Sequence, residues 1–175
     1  MWDTEYNKFN AVDMGPGRDI VGEMAAALRE EGLRVVTTFH HMRLYYFDEG
    51  RKLCPEGVGV NDPRYEVLYG PPHEPVDPDT GMWLIGNRVQ DPKISFPDLM
   101  PDDYVENGYN KIIEVIDKYQ PDQLQFDGGT LVRLGQERVK KMLAYYFNSA
   151  REWGKEVVVS RGYDRHNPYQ QSEIW

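Results

Sequence analysis

Polar side chains follow three short strand-like runs in this chain, and they are the residues best suited to chemistry. Asp127 follows the run QLQF and precedes two glycines, and His40 and His41 follow a run that begins at Leu33. Arg161 follows a third run, which is rich in valine. In parallel α/β folds, the loops after the strand ends build the active site. A carboxylate at such a point, here Asp127, is therefore a candidate nucleophile or general base.

Asp127, His40 and His41 could also have roles other than catalysis. An Asp before two glycines is often a turn residue, because its side chain bonds to the nearby backbone. His40 and His41 could be a metal pair, but neighbouring strand residues point to opposite faces and rarely chelate one ion. One of the two histidines could instead belong to the core. We therefore predict no metal site here and no cofactor.

Three predicted helices, each followed by a predicted strand, would position these side chains. Apolar residues recur at helical spacing in the three segments 20–31, 101–119 and 135–153. The first helix has one apolar stripe, which consists of Val21, Met24, Ala25 and Leu28. Strands are predicted at residues 33–39, which have the pattern of a buried strand, and at 123–127 and 156–160. Helix then strand, three times, implies parallel βα units whose polar ends share one rim.

A long irregular segment, about residues 48–100, separates the first unit from the second. It contains many of the prolines and glycines of the chain, together with Tyr65, Tyr69 and Trp83. Loops of this length are usually functional or disordered. The aromatic residues favour an ordered loop on the active face of the sheet.

Composition narrows the possible partners. The 175 residues are enough for one domain with a core, and the net charge of -9 without a basic stripe argues against nucleic acid and anionic membranes. The 12 Tyr and 4 Trp suit stacking on sugar faces, and equally an aromatic core. A single cysteine excludes an internal disulfide framework and a cysteine zinc site. No apolar run approaches the roughly 20 residues of a membrane span.

Four segments resemble the retaining α-L-fucosidase family of glycoside hydrolases, and they occur in the same order as in that family. The resemblance covers most of the chain and is weakest in the middle loop. The segments are WDTEYNKFN at 2–10, GPGRDIVGE at 15–23, NDPRY with LYGP at 61–65 and 68–71, and IDKYQPD leading into FDG at 116–122 and 126–128.

The resemblance implies a catalytic pair. Asp127 would attack the anomeric carbon of the sugar, and Glu173, twelve residues past Arg161, would be the acid/base. Retaining hydrolysis needs two such carboxyl groups about 5–5.5 Å apart. Arg161 would contact the nucleophile or the substrate, and its charge beside Asp127 would favour the ionised carboxylate.

The resemblance also implies sugar contacts. His40 and His41 fall where members of the family place sugar-contacting groups, and Trp2 directly follows the place of their sugar-binding His-His-Asp-Gly-Phe stretch. Gln125 stands where many members have Trp. The substrate would be a fucose-containing oligosaccharide or glycoconjugate. The resemblance also implies that the protein is exported, periplasmic or lysosomal.

The implied fold is a partial (β/α)8 barrel over residues 1–175, with about three to four βα units. A whole barrel takes roughly 250 residues, so we expect missing pieces on both sides and no fucoside turnover by the 175-residue chain alone. Two other functions stay open. A non-catalytic glycan-binding fragment would have the same residues, and Asp127-Gly128-Gly129-Thr130 is similar to the phosphate loop of actin-like sugar kinases.

Overall fold

The computed structural model describes residues 1–46, 54–71, 100–127 and 130–161, apart from the side chains of His41, Arg43, Tyr46 and Val132. The described helices are α1 (Ile20–Glu30), α2 (Glu66–Tyr69), α3 (Asp102–Tyr119), α4 (Thr130–Leu134) and α5 (Gln136–Trp153). Short 3₁₀ helices lie at His41–Tyr46, Gly59–Asn61 and Pro63–Tyr65. The strands are β1 (Val36–Phe39), β2 (Gln123–Phe126) and β3 (Val158–Arg161). None of the helices in these ranges is long and apolar enough to cross a bilayer.

The three described strands form one parallel sheet in the order β1-β2-β3. Val36 pairs with Gln123, and Gln123 pairs in turn with Val158. The same register brings the last residues of the strands level with one another, because Phe39 pairs with Phe126 and Phe126 with Arg161. The prediction of neighbouring parallel strands from three helix–strand units is confirmed.

Local chemistry sets the helix ends close to where the sequence predicts them. The Asp19 carboxylate caps α1 by accepting a hydrogen bond from the Gly22 backbone N–H at 3.0 Å. Helix α3 ends at Gln120, which has a left-handed φ of 44° and is followed by a proline. Gly154 ends α5 with a φ of 66°, a conformation that glycine adopts at no steric cost.

Helices α3 and α5 cover one face of the sheet. Leu124 and Phe126 point to this face because alternate strand residues lie on the same side, and Phe126 stacks on Phe39 with ring centroids 5.3 Å apart. The predicted apolar stripes of α3 and α5 are confirmed as core. The largest fully buried side chains are Tyr146, Met42, Ile112, Ile116, Leu124, Leu134, Met142, Val105, Val159 and Thr130.

The other face of the sheet is polar and partly open. Gln123 donates a hydrogen bond from Nε2 to Ser160 Oγ at 2.7 Å across this face. The prediction of a buried first strand is wrong, since Leu33 is 56% exposed and Val36 is 49% exposed. Among the described strands, β1 lies at an edge of the sheet and pairs only with β2.

Three further differences separate the prediction from the structure. Met24 is 56% exposed, so only part of the predicted stripe of α1 faces the core. The strand predicted at 156–160 begins later and includes Arg161. Helix α4 was not predicted, because its five residues are too few for helical periodicity to be read. Most of the predicted active-face loop at 48–100 lies outside the described residues, which include only 54–71 and 100 of it.

Candidate active site

The ends of β1 and β2 bring His40 and Asp127 together. These residues directly follow Phe39 and Phe126, which are paired in register. The distance from His40 Nε2 to Asp127 Oδ2 is 3.4 Å, and both side chains are about half exposed, at 50% and 48%. The Asp127 backbone N–H donates to the Phe39 carbonyl at 3.3 Å, which fixes the start of the Asp127 loop against the neighbouring strand.

Thr130 closes the same loop on its other side. Its buried hydroxyl lies 3.2 Å from the Phe39 carbonyl oxygen and 2.9 Å from the Asp127 carbonyl oxygen. Its backbone N–H also donates to the Asp127 carbonyl, at 3.3 Å. Thr130 therefore holds the Asp127 backbone to the end of β1. Sequence reasoning missed this role, although a threonine three residues after an Asp, at a helix start, is a common site for such local bonding.

Arg161 is the last residue of β3 and is partly buried. Its Cα pairs with Phe126, one residue before Asp127, so it lies on the same end of the sheet as the predicted nucleophile. A contact of Arg161 with the substrate stays a prediction.

The structure does not describe the side chains of two predicted site residues, His41 and Glu173. His41 begins the 3₁₀ helix His41–Tyr46 directly after His40, but its side chain lies outside the described part of the chain. Glu173, the predicted acid/base, also lies outside the described residues. Their roles therefore stay predictions.

The side chain of Trp2 forms a hydrogen bond with helix α3. Its indole Nε1 donates to Glu114 Oε2 at 2.6 Å, and the ring packs against the hydrophobic core. The Glu5 backbone N–H donates to Glu114 Oε1 at 2.8 Å, and Lys118 Nζ lies 3.5 Å from the same oxygen. These contacts attach the N-terminal segment to α3. They give Trp2 a structural role, and its predicted contact with the sugar has no test here.

The arrangement at the rim suits attack on a bound ligand. A half-exposed carboxylate can reach a substrate, and an imidazole at 3.4 Å can orient one of its oxygens. In the described part of the chain, no three His, Cys, Asp or Glu side chains come together as metal ligands would. The described groups therefore fit a nucleophile or base with an orienting partner.

Comparison with known proteins gives the family. The chain matches the profile of the alpha-L-fucosidase family over residues 1–174. No curated protein matches it significantly. Among solved structures, it is similar to an alpha-L-fucosidase at 26% identity and a TM-score of 0.56, over 90% of this chain and 26% of that one.

Two structures from Thermotoga maritima are also similar. An alpha-fucosidase in complex with fucose is 26% identical with a TM-score of 0.53, over 96% of this chain and 30% of that one. An alpha-L-fucosynthase, at 24% identity and a TM-score of 0.51, supports the fold alone and is matched over 90% of this chain and 27% of its own. The chain thus spans less than a third of each of these proteins. On the match to 174 of its 175 residues, the chain belongs to the alpha-L-fucosidase family.

Proposed function

We propose that this chain carries the nucleophile of a retaining glycoside hydrolase that cleaves α-L-fucosides. The observation that supports this most directly is the position of Asp127. It is half exposed at the end of a parallel strand, beside His40, in a chain that belongs to the alpha-L-fucosidase family. Loops at this end of parallel strands are where such enzymes place their reacting groups.

The reaction takes place in two displacements. Asp127 attacks the anomeric carbon, the bond to the leaving oxygen breaks, and a fucosyl ester forms on the Asp127 carboxylate. A second carboxyl group, which we assign to Glu173, gives its proton to the departing oxygen. Glu173 then takes a proton from water, which attacks the same carbon and releases Asp127. Two inversions at one carbon give fucose of retained configuration.

The groups around Asp127 would prepare it for attack. His40 lies 3.4 Å from one carboxylate oxygen and would hold it while the other oxygen attacks. Thr130 fixes the backbone of the loop, so that the carboxylate keeps its position relative to the strand ends. Arg161 on the next strand would contact the substrate or favour the ionised carboxylate. His41 would contribute a further sugar contact.

The fold supports a partial (β/α)8 barrel as the domain that contains residues 1–175. Parallel strands that are covered by helices on one face are the building units of such a barrel. Among the described strands, β1 pairs only with β2, so its other edge suits a further strand. The substrate would be a fucose-containing oligosaccharide or glycoconjugate.

Proton NMR of the first product tests the proposal. The protein made from the complete gene is mixed with 4-nitrophenyl α-L-fucoside, and the anomeric signals are followed before mutarotation sets in. We expect α-L-fucose to appear first and the β anomer only later. A first product with the β configuration would exclude the retaining reaction, and binding of fucose without any hydrolysis would favour a non-catalytic glycan-binding protein.

A further inference from the structure

A second candidate site lies away from the strand ends. A partly open cavity of about 160 Å³ lies between the N-terminal segment, the 3₁₀ helix after β1, α2 and α3, and neither His40 nor Asp127 lines it. Most of its wall is apolar, with Trp2, Phe9, Met42, Leu44 and Val67 among the lining residues. A cavity of roughly 150 Å³ is large enough for one benzene ring.

Among the described residues that line this cavity, Lys111 has the one side chain that is charged near neutral pH. It projects from α3 and is only 6% exposed. Among the described residues, none accepts a hydrogen bond from its ammonium or forms an ion pair with it within 4.0 Å. A mostly buried ammonium without a protein acceptor is costly, because it has lost much of its hydration and has gained no partner.

The nearest acid does not remove this cost. Glu114 lies one turn further along α3, but its oxygens already accept from Trp2 and Glu5 and lie beside Lys118. Burial lowers the pKa of Lys111 to about 8, and the negative charge of Glu114 only partly opposes that change. At neutral pH the amine is still mostly protonated, so the cavity contains a cation that lacks a close counter-ion.

The remaining polar groups narrow the possible ligands. Asn10 also lines the cavity, but its amide is occupied, since it donates to Asp13 Oδ2 at 2.7 Å and accepts from two backbone N–H groups. Four further polar side chains line the cavity, and each already uses a polar atom in a hydrogen bond within the fold: Thr4, Asn7, Asn107 and Tyr104. A sugar would therefore find few uncommitted polar partners here, and a doubly charged phosphate would meet one charged side chain with Glu114 close behind it. A ligand with a single negative charge and an otherwise apolar structure would complement both the Lys111 ammonium and the apolar side chains that line the cavity.

We propose that this cavity binds a small monocarboxylate with an apolar body, whose carboxylate accepts hydrogen bonds from the Lys111 ammonium. The ring or short chain of the ligand packs against Trp2, Phe9 and Val67. The cavity is separate from the strand ends, because none of His40, Asp127 and Arg161 lines it.

Calorimetric titration with benzoate tests the proposal on the protein made from the complete gene at pH 7. Benzamide is the matched neutral probe, because it has the same shape and no charge. We expect saturable binding of benzoate and binding of benzamide that is at least about tenfold weaker, as the loss of a charged hydrogen bond implies. Equal affinity for the two probes, or no saturable binding of benzoate, would overturn the proposal.

Three variants locate the site. Lys111→Met keeps the length of the side chain and removes its charge, and we expect it to weaken benzoate by about tenfold or more. Lys141→Met removes an exposed lysine of α5 and should leave benzoate binding unchanged. Val67→Phe keeps Lys111 but fills the cavity with a larger side chain, and we expect it to abolish the binding of benzoate. Full affinity in either cavity variant would contradict the site, and the readout does not depend on fucosidase activity.

Discussion

Two carboxylates on the same sheet–helix unit have opposite surroundings. The side chain of Glu114 is 7% exposed and accepts hydrogen bonds from Trp2 and from the Glu5 backbone, with Lys118 close by. The side chain of Asp127 is 48% exposed, and its described ion-pair partner is the half-exposed His40. One carboxylate therefore joins two parts of the fold, while the other faces the solvent at the strand ends.

The difference in exposure distinguishes a structural carboxylate from a reactive one, which the residue type alone does not. A buried carboxylate surrounded by donors has no room for a substrate, and its loss leaves those donors without an acceptor. A carboxylate that stays accessible at a strand end adds little to stability but can reach a ligand. Each prediction below tests one side of this contrast.

The largest expected effect is on catalysis. Asp127→Asn keeps the shape of the side chain and removes the nucleophile, so fucoside hydrolysis by the complete gene product should fall by about a thousandfold or more, which is several kcal/mol of transition-state stabilisation. Thermal unfolding should change little, since the side chain is half exposed. Asp117→Asn on the exposed face of α3 is the matched control and should hydrolyse normally. Equal activity in the two variants would move the nucleophile elsewhere.

Glu114→Ala should mainly reduce the stability of the fold, whereas Asp127→Asn should mainly reduce hydrolysis. The change leaves the Trp2 indole N–H and the Glu5 backbone N–H without their acceptor. Breaking a buried charged contact of this kind costs about 3–4 kcal/mol. Urea unfolding should show a lower midpoint with an unchanged slope. A midpoint equal to that of the parent protein would mean that Glu114 does not attach the N-terminal segment to α3.

Lys111→Met should stabilise the protein at pH 7. The pKa of Lys111 is lowered by burial from 10.5 to about 8, so between these values the unfolded chain binds more protons than the folded one. The contribution of Lys111 to the free energy of unfolding of the parent therefore rises from pH 8 to 10.5, in total by roughly 3 kcal/mol. The variant lacks this rise and should exceed the parent by a similar amount at pH 7. Parallel stability curves for variant and parent over this window would contradict the burial of the ammonium.

The smallest expected effect is at Thr130, which positions Asp127 without touching a substrate. Thr130→Val removes the hydroxyl that lies beside the Phe39 and Asp127 carbonyl oxygens. We expect a loss of about 1 kcal/mol in stability and a fall in kcat with little change in KM. Thr130→Ser should restore most of the kcat. If Ser restores stability but not kcat, the hydroxyl does not position the nucleophile.

The sequence predicts what depends on local patterns. Val105, Ile112 and Ile116 repeat at helical spacing and are all fully buried in α3. Pro121 predicts the end of that helix, and the strand that follows leads to Asp127. Parallel pairing then follows from the helix–strand order alone.

The rest depends on contacts between distant parts of the chain. The bond from Trp2 to Glu114 spans 112 residues, and no local pattern indicates that this glutamate is buried. Lys111 lies beside apolar residues in a helix of mixed charge, and only the packing of the N-terminal segment reveals its burial. The exposure of Val36 depends on what packs against the edge strand, and an apolar run in the sequence does not show this.

Chemical rescue of Asp127→Gly tests the role of this carboxylate most directly. The shorter side chain leaves a space next to the anomeric carbon, and azide can enter it and attack from the face that the carboxylate would use. With 4-nitrophenyl α-L-fucoside, we expect almost no reaction without azide, and with azide the release of nitrophenolate together with β-L-fucosyl azide. Hydrolysis by the variant at close to the parent rate, or formation of the α-azide, would contradict Asp127 as the nucleophile.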